Sequence, residues 1–513
     1  MATEKEKERM THKAKTLMIQ GTGSDVGKSV ITAGICRLLH RKGWKVAPFK
    51  AQNMSLNSFV TPEGGEISRA QSYQAEACNI APRVEMNPIL IKPIGDNLSQ
   101  VVLMGKAQGN RVAEDYFERH EKHKQIVKDA FDTLAKDYDL IVIEGAGSPA
   151  EINLKQWDLV NMHLAEQVDA PVIIVGDIDR GGVFAWMKGT LDLLEPSEKD
   201  RVAGFLINKF RGDIELLKPG LKQFEDLAHK PILGVLPYFR NLVVDEEDSI
   251  PQWSHPAQVF SGDPLDIAVL WYPRVANFTD LAPLANDPNV SLRYVAHPSQ
   301  LGRPDLIILP GSKNTIDDLQ YLKDAGMDRA ITRCRSQGTT LFGICGGFQM
   351  LGKKIRDPQN TESKIKEIDG LNLFDADTTL HPEKITRQVI RNTTVSPLFK
   401  DKLTIRGYEI HTGITQFSPS SIPLFQPEGN EAPCPLGIVS DDCSVIGTYL
   451  HGCLDEDSIR NALLDHLRKR RGLTLPEKAF SYHQFRNEHM DRLADWIESS
   501  IDIELITKII NRA

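Results

Sequence analysis

Leu341-Phe-Gly-Ile-Cys345-Gly-Gly347 joins an apolar run to a Gly-x-Cys-x-Gly turn, the pattern of a strand that delivers a thiol at a sharp turn and continues as a helix. Flanking glycines permit strained backbone, and the dipole and free N–H groups of a helix N-terminus favour thiolate. The amide of Gly346 is then one donor for a developing oxyanion. A buried, inert cysteine is the alternative, and the pentapeptide alone leaves the two level. Two further segments tip the balance. Residues 305–315 form an apolar strand opening onto a Gly-rich turn, which places Gly311 and Ser312 as the second oxyanion donor, and the strand Val445–Gly452 ends in His451. A lone histidine at a strand end is more often structural, but one that follows a thiol on a strand turn within one α/β segment is a candidate general base for that nucleophile.

The first half carries a different chemistry. Thr16 to Gln20 reads as a buried strand, followed by Gly21-Thr-Gly-Ser-Asp-Val-Gly-Lys28-Ser29 and an apolar helix. Backbone N–H groups of such a loop wrap phosphates, Lys28 neutralises β/γ oxygens and Ser29 holds Mg²⁺. The nucleotide-binding set is Gly21, Gly23, Ser24, Asp25, Val26, Gly27, Lys28 and Ser29. Five residues separate Gly21 from Gly27, one more than the strict Walker A spacing. Leu140-Ile-Val-Ile-Glu144 is a second buried strand, and Glu144 reads as the carboxylate that reaches the metal beside Ser29. Strands ending at Asp177 and Asn208 complete a parallel run that carries ligands at its carboxyl ends.

Both halves resemble known families. The segment around Cys345 and His451 resembles the class I glutamine amidotransferases, which hydrolyse L-glutamine and release ammonia. Those enzymes orient the histidine with a glutamate two positions on; here that position is Cys453, and neither Asp455 nor Glu456 is an assured substitute. The cobyrinate amidase branch lacks that glutamate. Arg406-Gly-Tyr408-Glu409-Ile-His411 resembles a family segment that lines the glutamine pocket, which implies Tyr408 and Glu409 there. The long P-loop resembles the dethiobiotin synthetase group, which implies that Lys50 steadies an acyl phosphate and that Asn208 reads the base. The stretch from Lys15 to His451 resembles the cobyrinate amidase family in its cobyric acid-forming branch, carried by Gly21 to Ser29, Lys50 to Asn57, Glu144 to Glu151, Gly176 to Gly182, Asn208 to Gly212, Gly343 to Gly347 and Gly407 to His411. That resemblance implies ATP- and glutamine-dependent amidation of the b, d, e and g carboxylates of a corrinoid, adenosylcobyrinic acid a,c-diamide. Cobyrinic acid a,c-diamide synthase or another amidoligase is the near alternative; a ParA-type partition ATPase with a degenerate amidotransferase domain is the far one.

These groups need rigid elements to hold them. At 513 residues with 41% hydrophobic and 25% charged residues, the chain reads as a multidomain globular protein. A net charge of −8 argues against nucleic acid as a partner. No apolar run approaches a bilayer span, and the charged start has no leader-like core, so the expected setting is cytoplasmic without a membrane partner. Seven cysteines without CxxC spacing give neither a zinc site nor a disulfide framework. The expected architecture is α/β, two doubly wound parallel-sheet domains: a disordered start at 1–15, a P-loop amidoligase domain at 16–240, a linker at 241–263, a flavodoxin-like class I glutamine amidotransferase domain at 264–456 and a helical appendage at 457–513. Arg468-Lys-Arg-Arg471 reads as a solvated face, and the prolines around Ile89 to Lys92 suggest a substrate-facing strand or a simple edge.

Overall fold

The computed structural model describes residues 14–95, 98–112, 119–239, 263–427 and 436–512. Almost all of the expected disordered start and linker lies outside these residues.

Five apolar runs, Lys15–Gly21, Val46–Phe49, Leu140–Glu144, Val172–Asp177 and Val202–Phe210, join Ile232–Pro237 in one six-stranded sheet. Every pairing in it is parallel. Buried on both faces, such strands read as continuous Val/Ile/Leu runs. Lys15–Gly21 lies centrally, between Leu140–Glu144 and Val172–Asp177, so Gly21, Glu144 and Asp177 end side by side at one edge. Beside this sheet stands a smaller four-stranded one containing Gln52–Met54 and Ile89–Gly95, and a short hairpin, Ser58–Val60 with Glu66–Ser68.

The second sheet holds Leu265–Leu270, Val290–Val295, Leu306–Leu309, Thr340–Ile344 and Val445–Thr448 in parallel. It then departs from the all-parallel expectation, because Gly437–Val439 and Ile422–Pro423 add an antiparallel edge. A long hairpin, Ala376–Asn392 with Thr404–Phe417, projects from this domain. Its apolar residues Tyr408 and Ile410 pack on Val60 and Phe59 of the first domain, and Tyr408 donates its hydroxyl to the Ser58 carbonyl at 2.9 Å.

The C-terminal segment is helical but divided. Helix Asp457–Arg471 buries Leu463, Leu464 and Leu467 in the core of the second domain. Helices Tyr482–Ser500 and Ile503–Arg512 return to the first domain and complete one face of its sheet with Leu493, Ile497, Ile506 and Ile510. Arg468–Arg471 is not simply a solvated face. Arg468 is buried and donates to the carbonyls of Thr474 and Asn289, Arg470 to those of Asp442 and Gly338, and Arg471 to that of Pro264. Guanidinium groups supply fixed donors to carbonyls at loop ends, an arrangement that a charge run in sequence does not reveal.

Candidate active sites

Cys345 ends the strand Thr340–Ile344 and opens the helix Gly346–Leu351 with φ 52° and ψ −110°. A non-glycine residue holds such a conformation only when its surroundings impose it. Glycine at 347 makes the turn possible, since a Cβ there would lie 1.9 Å from the Leu309 carbonyl oxygen. The thiol lines a cavity shared with His451, Gly311, Ser312 and Gly346. A Cβ on Gly346 would fall 2.9 Å from the Ser312 nitrogen, so the two expected oxyanion loops lie against each other. Ser312 is held from behind, its hydroxyl donating to buried Asp318 at 2.5 Å. Burial raises that carboxyl to about 7.

The third member of the site is Asp280. Its Oδ2 lies 2.6 Å from His451 Nδ1 and its Oδ1 accepts the Gly452 N–H at 2.9 Å. Burial alone would lower the imidazole value, but the Asp280 carboxylate and the Cys345 sulfur outweigh it and raise His451 to about 10. A carboxylate therefore does orient the histidine, from the turn Phe278–Leu281 rather than from the residues after His451. Pairing of Val275–Ala276 with Gly311–Ser312 sets that turn beside the oxyanion loop. Cys453, at the usual glutamate position, is buried. The one signal for Asp280 in the sequence is its place in the loop after a parallel strand, where α/β sites gather.

Ile410, His411, Thr412, Gln349 and Glu362 line the cavity, whereas Tyr408 and Glu409 are not among its lining residues. Tyr408 stacks on the His451 ring at a centroid distance of 5.4 Å, and Glu409 pairs with Arg387 and with His411. The first domain also reaches this cavity, through Lys92 on Ile89–Gly95. Lys92 bonds Ser58 Oγ at 2.6 Å and Glu66 at 2.8 Å, and Lys384 of the second domain bonds the same Glu66 at 2.6 Å. Burial lowers Lys92 to about 7 despite Glu66.

At the other site the loop Gly21–Gly27 leads into helix Lys28–Arg41. Gly27 has φ +99°, and a Cβ there would lie 2.2 Å from Asn208 Nδ2, so glycine is required twice over. Asn208 donates to the Val26 carbonyl at 2.9 Å. Lys28 folds back on the carbonyls of Gly23 and Gly147 at 2.7 and 3.1 Å. Ser24 and Asp25 are exposed at the loop tip.

Glu144 is fully buried and gathers three partners. Ser29 Oγ lies at 2.7 Å, Lys50 Nζ at 3.0 Å and Gln74 Nε2 at 2.5 Å. Burial opposes its ionisation, but the Lys50 ammonium and these hydrogen bonds hold the carboxyl below its ordinary value. The sequence places Ser29, Lys50 and Glu144 at one sheet edge; it does not reveal that Gln74 grips the same carboxylate. Among the described residues there is no cluster of three or more His, Cys, Asp or Glu that could hold a metal.

A glycine-rich loop of phosphate-loop form with a lysine-paired acid, and a cysteine, histidine and aspartate within one hydrogen-bonded cluster, stand in one chain. Residues 17–251 match the CobQ/CobB/MinD/ParA nucleotide binding domain, and 266–459 match the CobB/CobQ-like glutamine amidotransferase domain. Together they define an ATP-dependent amidoligase that carries its own glutamine amidotransferase domain. The cobyric acid synthase of Clostridium botulinum (strain ATCC 19397 / Type A) is 46% identical over 497 residues, 96% of this chain and 99% of the relative. That of Yersinia enterocolitica serotype O:8 / biotype 1B is 46% identical over 512 residues, 97% of this chain and 98% of the relative. That of Thermoanaerobacter sp. (strain X514) is 46% identical over 506 residues, covering 97% and 99%. The chain belongs to the cobyric acid synthase family, which sets aside the partition ATPase alternative. No helix among the described residues is long and apolar enough to cross a membrane.

Proposed function

We propose that the protein amidates the b, d, e and g carboxylates of adenosylcobyrinic acid a,c-diamide, spending ATP at the first domain and glutamine at the second. The observation that carries this reading is the pairing of a complete Cys345, His451 and Asp280 arrangement with a phosphate loop in one chain.

At the glutaminase site Cys345 attacks the side-chain amide carbon of glutamine. Gly346 and the Gly311–Ser312 loop supply the donors toward the oxyanion. His451, already biased toward imidazolium by Asp280, gives a proton to the departing ammonia, and the thioester is then hydrolysed by water with His451 as base, releasing glutamate. Glu362 and the lysines at the cavity wall are placed for the charged α-groups of glutamine. Tyr408 and Glu409 support that pocket from behind it.

A free carboxylate resists attack by ammonia, so it is first phosphorylated. Lys28 turns from the Gly23 and Gly147 carbonyls to the phosphates when nucleotide binds, and Lys50 steadies the acyl phosphate once its hold on Glu144 is exchanged for substrate. Ammonia then displaces phosphate and leaves an amide. Ser29 and Glu144 are hard oxygen donors at the phosphate loop and fit Mg²⁺, which commonly takes one or two protein oxygens together with substrate phosphates. When bound, Mg²⁺ would neutralise phosphate charge. The cavity of about 830 Å³ at the carboxyl ends of Val202–Phe210 and Ile232–Pro237, lined by Phe210, Pro237 and Tyr238 among others, is the space we assign to the nucleotide base.

The test is mass spectrometry of the corrin diamide after incubation with enzyme, ATP, Mg²⁺ and glutamine. Successive one-unit mass decreases, ending at four amidations, support the reading, and an unchanged corrin refutes it.

A further inference from the structure

Asn277 connects the two chemistries. It is buried, adopts left-handed backbone at φ 53° and ψ 39°, and immediately precedes the turn bearing Asp280. Its Oδ1 accepts the backbone N–H of Ser58, in the synthetase domain, at 2.9 Å. That bond fixes the orientation of the amide, because only the oxygen can face an N–H donor. The NH₂ end therefore faces His451, where Nδ2 lies 3.4 Å from both ring nitrogens. An in-plane approach at equal distance from both would drive Nδ2 into Cε1, so the amide lies over the ring face. It packs against the imidazole face while Asp280 stays on Nδ1.

Ser58 also holds the other neighbour of the ring. Its carbonyl accepts the hydroxyl of Tyr408, which stacks on the imidazole. Beside it, Asn57 Oδ1 accepts the Phe278 N–H at 3.2 Å, and Asp280 N–H returns to the Asn277 carbonyl at 3.1 Å. The same Asn57 accepts the Arg69 N–H through its own carbonyl at 3.0 Å. Arg69 begins the helix whose Gln74 grips Glu144. One short segment of the synthetase domain thus touches every element that orients His451.

We propose that Asn57 and Asn277 are positioning residues for glutamine hydrolysis, an amide bridge through which the synthetase domain holds the His451 ring and the Asp280 turn in register with Cys345. The inference rests on the glutaminase reading of Cys345, and it makes the glutaminase complete only against the synthetase domain.

The experiment measures glutaminase kcat and KM, and amidation driven by ammonium chloride, in the full-length enzyme. Asn57→Ala and Asn277→Ala should each lower glutaminase kcat about tenfold with an unchanged KM for glutamine, while ammonium-driven amidation stays within about twofold of the parent. Asn57→Asp, which keeps the acceptor oxygen, should restore kcat. Tyr408→Phe, which keeps the stacking ring and loses the bond to Ser58, should lower kcat rather than raise KM. Unchanged kcat in both alanine variants overturns the proposal, as does a fall shared equally by the ammonium-driven reaction. Glutaminase activity that survives Cys345→Ala refutes the reading of Cys345 instead.

Discussion

The positive φ of Cys345 and the buried contact of His451 with Asp280 are two ways of holding reactive groups where water would otherwise rearrange them. Removing the thiol should end glutamine-dependent amidation. Cys345→Ala is expected to retain amidation with ammonium salts at alkaline pH, because the thiol serves only ammonia release; corrin mass spectrometry with each nitrogen source checks this. Asp280→Asn keeps the shape and removes the charge. Glutaminase kcat should fall about 10²-fold or more, since an uncharged partner neither supports imidazolium nor fixes its tautomer. The same substitution has a signed effect on stability. His451 is raised from 6.5 to about 10, so its stabilising contribution is fully present below about pH 6.5 and lost as pH rises through about 10. The gap in thermal midpoint between parent and Asp280→Asn should therefore be widest near pH 6 and close above pH 10. A gap that widens toward alkaline pH contradicts the assignment. Cys345, Lys28 and Ser29 were legible in the sequence because local glycine patterns announce them. Asp280 and Asn277 were not, because their partner His451 lies far along the chain and only the sheet order brings them together.

At the scale of elements, the parallel strands were legible as uninterrupted apolar runs, and the phosphate loop as the glycine-rich gap between strand and helix. The long hairpin Ala376–Asn392 with Thr404–Phe417 was not legible as a hairpin; Arg406 to His411 stood out only through a family resemblance. Its partner strand alternates weakly because much of it is exposed, so period alone did not define it. The helix Lys28–Arg41 depends on Gly27 at its start. Gly27→Ala would place a methyl group against Asn208 in a backbone region that costs L-residues of order 1–3 kcal/mol. The loop should therefore lose its phosphate-wrapping shape. Glutamine-driven and ammonium-driven amidation should fall together, with raised KM for ATP, while the fold of the second domain is kept. Wild-type ATP dependence in that variant would show that the loop tolerates the methyl group.

Across the whole molecule, the C-terminal segment adds a second tie between the two domains, beside the contacts made by the long hairpin and the Asn277 turn. The helical character of 457–513 was readable, but not the fact that Leu463, Leu464 and Leu467 serve one core and Leu493 and Ile497 another. That division follows from shape. Gly34 on the phosphate-loop helix leaves a notch in which a Cβ would lie 2.5 Å from Ile497 Cγ1, so helix Tyr482–Ser500 seats closely there. Exposed pairs such as Arg41 with Asp495 and Lys42 with Glu498 flank the contact but contribute little, as surface ion pairs do. The apolar seat is the stabilising feature. Ile497 is fully buried, and Ile497→Ala should destabilise the protein by about 2–5 kcal/mol through lost burial and a residual cavity. Because the notch lies on the helix that begins at Lys28 and Ser29, the same change should raise the KM for ATP, whereas glutaminase kcat should stay near the parent value below the melting range. Calorimetry alongside both steady-state assays separates these effects. An unchanged thermal midpoint would mean that the Ile497 seat adds no stability, and a loss of glutaminase with ATP dependence intact would mean that it does not support the phosphate-loop helix.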